Sequence, residues 1–507
     1  LIIMHDIDGF DADILVVGLG PTGDVLACLL AQEGLSVIAI DRETDIFQAP
    51  RAAVFDHEIM RIFQQVGVAD AVAKVCRVPD RYQFVTAADE VLLDFPIAAL
   101  APVSGWAENY LLHQPAVERA LRDRLAETGV DVRLGTRLLR HVQEPGGVVS
   151  RIASADGEAT LRTRYLVACD GGSSAVRDSL DIRLFDYQFD EPWLVIDALV
   201  EDDAHLPQRL LQICDPRRPV SYLKMAGPRY RWEFMIKPGE DPAELLKDQS
   251  IHKLLEPWGG VDKLTIERRA VYRFHGLVAE QWRQGRVLLA GDAAHQMPPF
   301  AGQGMCAGIR DAANLAWKLA MILRGEAADS LLDSYQIERE RHVRVIIETA
   351  IAMGRVVCLL DEAAAAGRNA QMLARKAAGE PDIALAFPPL AGGMLTDLPA
   401  AGFLFPQPVT EAGRLDDHLG QGAWLIGRDL PDAETDGVAS FNLDDARLAS
   451  FRSAVAEWLD RHGVDAVLVR PDRHVFGAGS ASALVAAWTA KLADGALSSE
   501  VSQPRVA

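Results

Sequence analysis

The stretch Asp13-Ile14-Leu15-Val16-Val17-Gly18-Leu19-Gly20-Pro21-Thr22-Gly23 decides the fold. Its apolar run ends at Gly18, the pattern of a strand buried in a parallel sheet. From Thr22 to Glu33, Val25, Leu26, Leu29 and Leu30 share one face of a helix that Gly34 stops. Leu35 to Ile40 is a second strand, closed by Asp41. Strand, glycine turn, helix and strand form a βαβ start. Glycines at such a turn let the backbone approach a pyrophosphate without a Cβ collision. The helix behind them offers free N–H groups and the positive end of its dipole. Asp41 stands 18 residues beyond Gly23, near the ~20 expected of the acid that binds a ribose hydroxyl. A lone G-x-G-x-x-G is weak, and its alternative is a structural glycine turn. The flanking elements and the spaced acid favour dinucleotide binding here.

A second signature lies far downstream: Gly291-Asp292-Ala293-Ala294-His295, then Pro298 and Gly302-Gln303-Gly304. Arg286 to Ala290 before it reads as another buried strand, and residues 310–324 after it as an apolar helix. Asp292 is either a helix N-cap or a carboxylate for ribityl hydroxyls. The Gly302–Gly304 loop lets backbone N–H groups reach a flat ring, and a helix N-terminus beneath that ring stabilises negative charge on it. One cofactor gripped from two distant segments points to FAD rather than to an exchanging NAD.

Between the signatures, helices are expected at Glu58–Val66 and Pro115–Glu127, and a buried strand at Arg164–Cys169. Residues 181 to 275 alternate in the manner of an antiparallel sheet with one solvated face. A further helix spans 331–360. The Ala-, Gly- and Pro-containing stretch from about 362 to 400 reads as a linker. Beyond it, strands at Ala423–Ile426 and Ala466–Val469 and helices at Ala446–Arg461 and Ser480–Leu492 read as a small α/β domain.

Composition narrows the function classes. Fifty-one basic against 72 acidic residues give a net charge of −21, which argues against nucleic acid or an anionic membrane as partner and reads as a solvated surface. Six scattered cysteines (28, 76, 169, 214, 306, 358) make neither a disulfide framework nor a zinc cluster, so a reducing cytoplasm is expected and no metal site. No apolar run reaches the ~18–20 residues of a membrane span. Leu1-Ile2-Ile3-Met4 is too short for a signal peptide and lacks a basic flank.

Three motifs in order resemble a known family: G-x-G-x-x-G at 18–23, Cys169-Asp170-Gly171-Gly172 running to Arg177, and G-D-A-A-H-x-x-P-P at 291–299. They resemble the class A flavoprotein aromatic hydroxylases, over roughly residues 10–360. Within that family the nearest group is that of the 3-(3-hydroxyphenyl)propionate hydroxylases, carried by Arg51-Ala52, Trp193-Leu194-Val195-Ile196-Asp197, Cys214 to Pro219 and Trp232-Glu233-Phe234-Met235. Val469-Arg470-Pro471-Asp472-Arg473 resembles the family's thioredoxin-like end domain, here without redox cysteines.

The resemblance implies an α/β fold: a Rossmann-like FAD-binding domain (1–75, 104–180, 275–395), an inserted sheet-based substrate domain (76–103, 181–274) and a thioredoxin-like C-terminal domain (396–507). It implies hydroxylation of a phenolic, 3-hydroxyphenylpropionate-like substrate, through a flavin C4a-hydroperoxide, with non-covalent FAD, NADH or NADPH as electron donor and O₂ as co-substrate. It admits a homodimer. Gly18, Gly20 and Gly23 would hold the pyrophosphate, and Asp41 with Arg42 the adenosine ribose. Arg51 and Gln114 would meet the cofactor between pyrophosphate and ribityl chain. Asp170 and Arg177 belong to a motif linked to both FAD and NAD(P)H. Gly291 and Asp292 would bind the ribityl chain, Pro298 would sit at the flavin edge where oxygen reacts, and Gly302, Gly304, Met305 and Cys306 would line the ring. Cys306 departs from the asparagine common in relatives.

A phenolate attacks activated oxygen faster than a phenol, whose pKa is near 10 in water, so a pocket group should accept its proton or hydrogen bond. The candidates, in order, are His57, Asp56, Tyr272 and His275, with helix N-cap as the alternative for Asp56. Same-fold alternatives are a flavin halogenase or epoxidase, and a non-catalytic flavin-binding protein. Halogenases usually carry W-x-W-x-I-P, and no W-x-W occurs here.

Overall fold

The computed structural model describes residues 9–47, 52–97, 102–203, 205–259, 264–382, 387–430 and 437–494. Its first sheet is built around the strand Ala12–Val17. That strand pairs in parallel with Gly157–Ala168 on one side and Val37–Ile40 on the other. Val287–Leu289 and Asp131–Arg133 extend the parallel core outward. Buried on both faces, these strands need continuous apolar runs, and Ile14, Leu15 and Val16 are fully buried. The first helix, Pro21–Gln32, covers the sheet with Val25, Leu26, Leu29 and Leu30, each burial contributing about 1.5–3 kcal/mol.

A second sheet has the strand order 295–296, 264–279, 184–200, 229–235, 220–224, 210–213, 82–85, 91–95. It is antiparallel except where Leu210–Ile213 runs parallel to Tyr82–Val85. The strand Leu264–Ala279 passes the expected boundary at 274 without a break and pairs with His295–Gln296 of the second signature. Alternation divides this sheet cleanly. Tyr230, Trp232 and Phe234 pack into a core with Leu194, Ile196 and Ile251. Arg231 and Glu233, between them, face the other way.

The stretch expected as a linker is in part a helix, Glu362–Ala377. Seven of its sixteen residues are alanine, the best helix former, and Asp361 caps it by accepting from the Ala364 N–H at 2.7 Å. Near the C-terminus, Val438–Asn442, Ala423–Gly427, Ala466–Val469 and Val475–Gly479 form a mixed sheet in that order. The helices Arg452–His462 and Ala481–Asp494 accompany it.

Candidate active site

The two sheets and the second signature enclose one elongated cavity of about 1210 Å³. One end is built by the glycine turn. Gly18 has φ +95°, and a Cβ there would meet the Cys169 carbonyl, so only glycine is unstrained. Gly20 has open space where a Cβ would lie, and it borders the cavity. The helix that starts at Pro21 has no side-chain cap at Gly20, and its first residues, Pro21 and Thr22, border the cavity. Asp41 is held at the same end by the Leu19 N–H, 2.6 Å from Oδ2, and by the Glu43 N–H, 2.8 Å from Oδ1. Arg42 borders the same end. Arg122, unremarked in the sequence, also lines it and pairs with buried Asp24 at 2.8 Å. Burial pushes the Asp24 carboxyl up, and the Arg122 charge opposes that shift.

The middle is polar. Gln114 lines it, accepting from the Ala52 N–H at 2.9 Å and donating to Glu118 at 2.6 Å. Asp170 presents a buried Oδ1 without a hydrogen-bond partner. Burial raises its carboxyl above the usual range, against the hydrogen bonds it accepts from Ser174 and Val176. Asp292 lines the cavity from the turn Gly291–Ala293. Beyond it, Gly302 at φ +65° leads into the long helix Gly304–Leu323, again without a side-chain cap. Gly302, Gly304 and Met305 line the cavity.

These features fit an FAD. The two bare helix N-termini suit a pyrophosphate and an electron-rich ring, the vacant Gly20 position gives the close approach, and Asp170 has an unused acceptor. Several expected residues support this frame from behind instead. A Cβ on Gly23 would collide with the Gly18 carbonyl, and one on Gly291 would lie 2.8 Å from Thr22 Oγ1. Arg177 is 5% exposed and donates to the Ala293 carbonyl at 3.3 Å. Cys306 is turned toward the Gly302 carbonyl at 3.6 Å. Burial raises its thiol, so it carries no thiolate. Pro298 stands between Met297 and Pro299, which do line the cavity. Arg51 lies outside the described residues.

The other end of the cavity is the face of the second sheet. Tyr272 and His275 line it, and His275 Nδ1 is 3.8 Å from Asp190. His57 and Asp56, the two preferred proton acceptors, do not. Asp56 caps its helix through the N–H groups of Glu58 and Ile59 and pairs with Arg310 at 2.6 Å. His57 Nδ1 is 3.0 Å from Ser104 Oγ. Both lie off the cavity lining: the Asp56 carboxylate is taken up by its own helix and Arg310, and His57 Nε2 stands 4.0 Å from Glu108. Sequence reading missed Tyr82, Gln212, Ser221, Arg231 and Glu233, all at this end. The available signal was the alternation of Arg231 and Glu233 with three large aromatics. Tyr82 donates to the Phe300 carbonyl at 3.0 Å and so ties the sheet to the second signature. Phe300 meets Trp193 edge-on at 5.7 Å and Phe274 at 6.3 Å. The arrangement is an aromatic wall beside a polar row, suited to a flat ring bearing hydroxyls.

Comparison with known proteins agrees with this geometry. Residues 11–350 match the family model described as FAD binding domain. A "Probable NADH-specific resorcinol 4-hydroxylase" of Rhodococcus jostii (strain RHA1) is 38% identical, over 94% of this chain and 95% of that protein. A "3-(3-hydroxy-phenyl)propionate/3-hydroxycinnamic acid hydroxylase" of Burkholderia cenocepacia (strain HI2424) is 34% identical, over 91% and 93%. Among solved structures, an aklavinone-11 hydroxylase with FAD and aklavinone superposes with TM-score 0.76 at 24% identity, covering 95% of this chain and 99% of that one. The flavin-dependent monooxygenase PieE gives 0.80 at 22%, over 95% and 99%. The structural likenesses speak for the fold.

Proposed function

We infer the reaction from one premise: the chain belongs to the FAD binding domain family. It is an FAD-dependent aromatic hydroxylase that consumes NAD(P)H and O₂. One oxygen atom enters a phenol ring and the other leaves as water, with two electrons from NAD(P)H. Bound FAD supplies the hydride acceptor and the activation of O₂, which no side chain provides.

The observation that carries this reading is the single cavity joining the glycine turn to the aromatic and polar sheet face. In the proposal, Gly18, Gly20 and the first helix bind the pyrophosphate, and Asp41 the adenosine ribose. Gln114 and Asp292 take the ribityl chain. Gly302 to Met305 and the long helix support the ring. Phe274 and Phe300 hold the substrate flat and keep water out. Tyr272 and His275 are the remaining candidates to receive the phenol's hydrogen bond. No helix among the described residues is long and apolar enough to cross a membrane. A cytoplasmic setting and a homodimer belong to the proposal.

The test is oxygen uptake by FAD-loaded protein with NADH or NADPH across a panel of phenols, with the product identified. A phenol that accelerates uptake and gains one oxygen atom is the expected result. Uptake that no phenol accelerates, or electrons that all end as H₂O₂, would refute hydroxylation.

A further inference from the structure

The relatives act, by name, on two kinds of phenol, one uncharged and one bearing a carboxylate. The sheet end of the cavity distinguishes them. Pairing register places Gln212, Ser221, Glu233 and Val195 side by side across four strands. The adjacent row on the same face is Leu223, Arg231, Asp197 and Arg268. Directly opposed residues share a face, so both rows stand on one face of the sheet; the first row lines the cavity, as do Leu223 and Arg231 of the second.

The cations of these rows are matched. Asp197 takes Arg231 Nε at 2.6 Å and Nη2 at 3.2 Å, a two-point fork. Its Oδ2 also lies in an ion pair 3.1 Å from Arg268 Nε. Arg231 Nη1 is 3.8 Å from Glu233. Two guanidinium groups thus face two carboxylates. Arg273, the other described cation lining this end, is paired with Asp190 at 2.7 Å. Among the described residues lining this end, no surplus of positive charge awaits a substrate carboxylate.

Glu233 is the converse. It is 8% exposed, lines the cavity, and has only the longer ion pair to Arg231. Its neighbour Ser221 spends its one O–H donor on Gln212 Oε1, at 2.7 Å. Among the described residues none donates a hydrogen bond to the Glu233 carboxylate. A buried acceptor left so calls for a donor from the ligand. A substrate hydroxyl meets that need, whereas a substrate carboxylate would face like charge there.

Resting on the hydroxylase reading above, we propose that Glu233 sets specificity: it accepts a hydrogen bond from a substrate hydroxyl and repels a substrate carboxylate. The preferred substrate is then an uncharged phenol with a second ring hydroxyl. One hydroxyl meets Glu233 while the ring lies against Phe274 and Phe300.

The test compares 1,3-dihydroxybenzene with 3-(3-hydroxyphenyl)propionate on the FAD-loaded enzyme. Calorimetric Kd without NAD(P)H and kcat/KM with it are both read. Wild type should favour the dihydroxybenzene by about tenfold or more in each, the worth of one charge-assisted hydrogen bond. Glu233→Gln should raise KM for the dihydroxybenzene more than it lowers kcat. It should also tighten the propionate, so that the ratio contracts about tenfold. A wild-type preference for the propionate overturns the proposal without any variant. So does a ratio that Glu233→Gln leaves unchanged. If either phenol is hydroxylated in these cases, the hydroxylase reading stands alone. If the loaded enzyme binds and hydroxylates neither phenol, the specificity proposal falls, and the phenol panel alone decides the hydroxylase reading.

Discussion

Asp56 accepts two backbone N–H groups of its own helix, the Gln303 amide at 2.9 Å and the Arg310 guanidinium at 2.6 Å. Burial would raise its carboxyl, but the Arg310 charge and these hydrogen bonds hold it below the usual range. Replacing it with alanine removes a helix cap and one of the two carboxylates paired with Arg310, Glu58 remaining at 2.6 Å, so Asp56→Ala should destabilise the protein by about 1.5–3 kcal/mol in denaturant titration. A stable Asp56→Ala enzyme that merely leaks H₂O₂ would return Asp56 to the substrate. The reverse is expected of Tyr272→Phe and His275→Asn. At whichever residue receives the phenol's hydrogen bond, stability should hold, hydroxylation should slow, and the H₂O₂ yield per NAD(P)H should rise. Coupling intact in both variants would remove both. Motif spacing located residues such as Asp41 and Asp292, whose place follows from a strand end. It could not show that Asp56 and His57 lie off the cavity lining, because a cap and a pocket residue look alike until the helix they start is oriented.

At the scale of elements, the two helices that open on the cavity make the sharpest test of the cofactor site. Gly20 and Gly18 look interchangeable in a G-x-G-x-x-G motif, yet a Cβ meets nothing at Gly20 and strikes the Cys169 backbone at Gly18. Gly20→Ala should therefore fold with unchanged stability and lose FAD affinity, by about 1–3 kcal/mol of overpacking against the ligand. Gly18→Ala should fail to fold well even without FAD. Equal effects at both positions, read by thermal melts and flavin titration, would contradict the geometry. Asp292→Ala should weaken FAD by roughly 1.5–3 kcal/mol through a lost charge-assisted hydrogen bond. Acid precipitation should release the flavin in all cases. The long helix was legible from residue 310, but its true start at Gly304 was not. Glycines are poor helix formers, and only the enclosing loop fixes the first turn there. The helix Glu362–Ala377 was missed for the opposite reason, since an alanine-rich run has helix propensity without an apolar stripe.

Across the whole molecule, the long helix joins the cavity to the C-terminal sheet through charges that never reach solvent. Lys318 and Arg470 meet Glu338 at 2.9 and 2.8 Å, and all three side chains are fully buried. Burial alone would raise the Glu338 carboxyl, but the Arg470 and Lys318 charges hold it down at about 2. Burial pushes Lys318 down to about 8. Arg61 and Arg473 likewise share Asp416, at 2.7 and 3.2 Å. The identity of this domain with a thioredoxin-like fold stays a proposal, but its role does not depend on that. The chain has no cysteine beyond Cys358, so thiol exchange is closed to it. We expect it to act by packing: truncation after roughly residue 395 would uncover Glu338, Lys318 and Trp317 together and should cost solubility or assembly. A truncated chain as soluble and stable as the full one would refute that. The pH dependence has a definite sign. A carboxyl whose folded pKa is depressed stabilises the fold above its unfolded value near 4.3. That contribution should drain away as pH falls from there through about 2, read as a falling melting temperature. Glu338→Gln should flatten this acid limb while lowering stability at neutral pH, because Arg470 and Lys318 then lose the charge that offsets their burial.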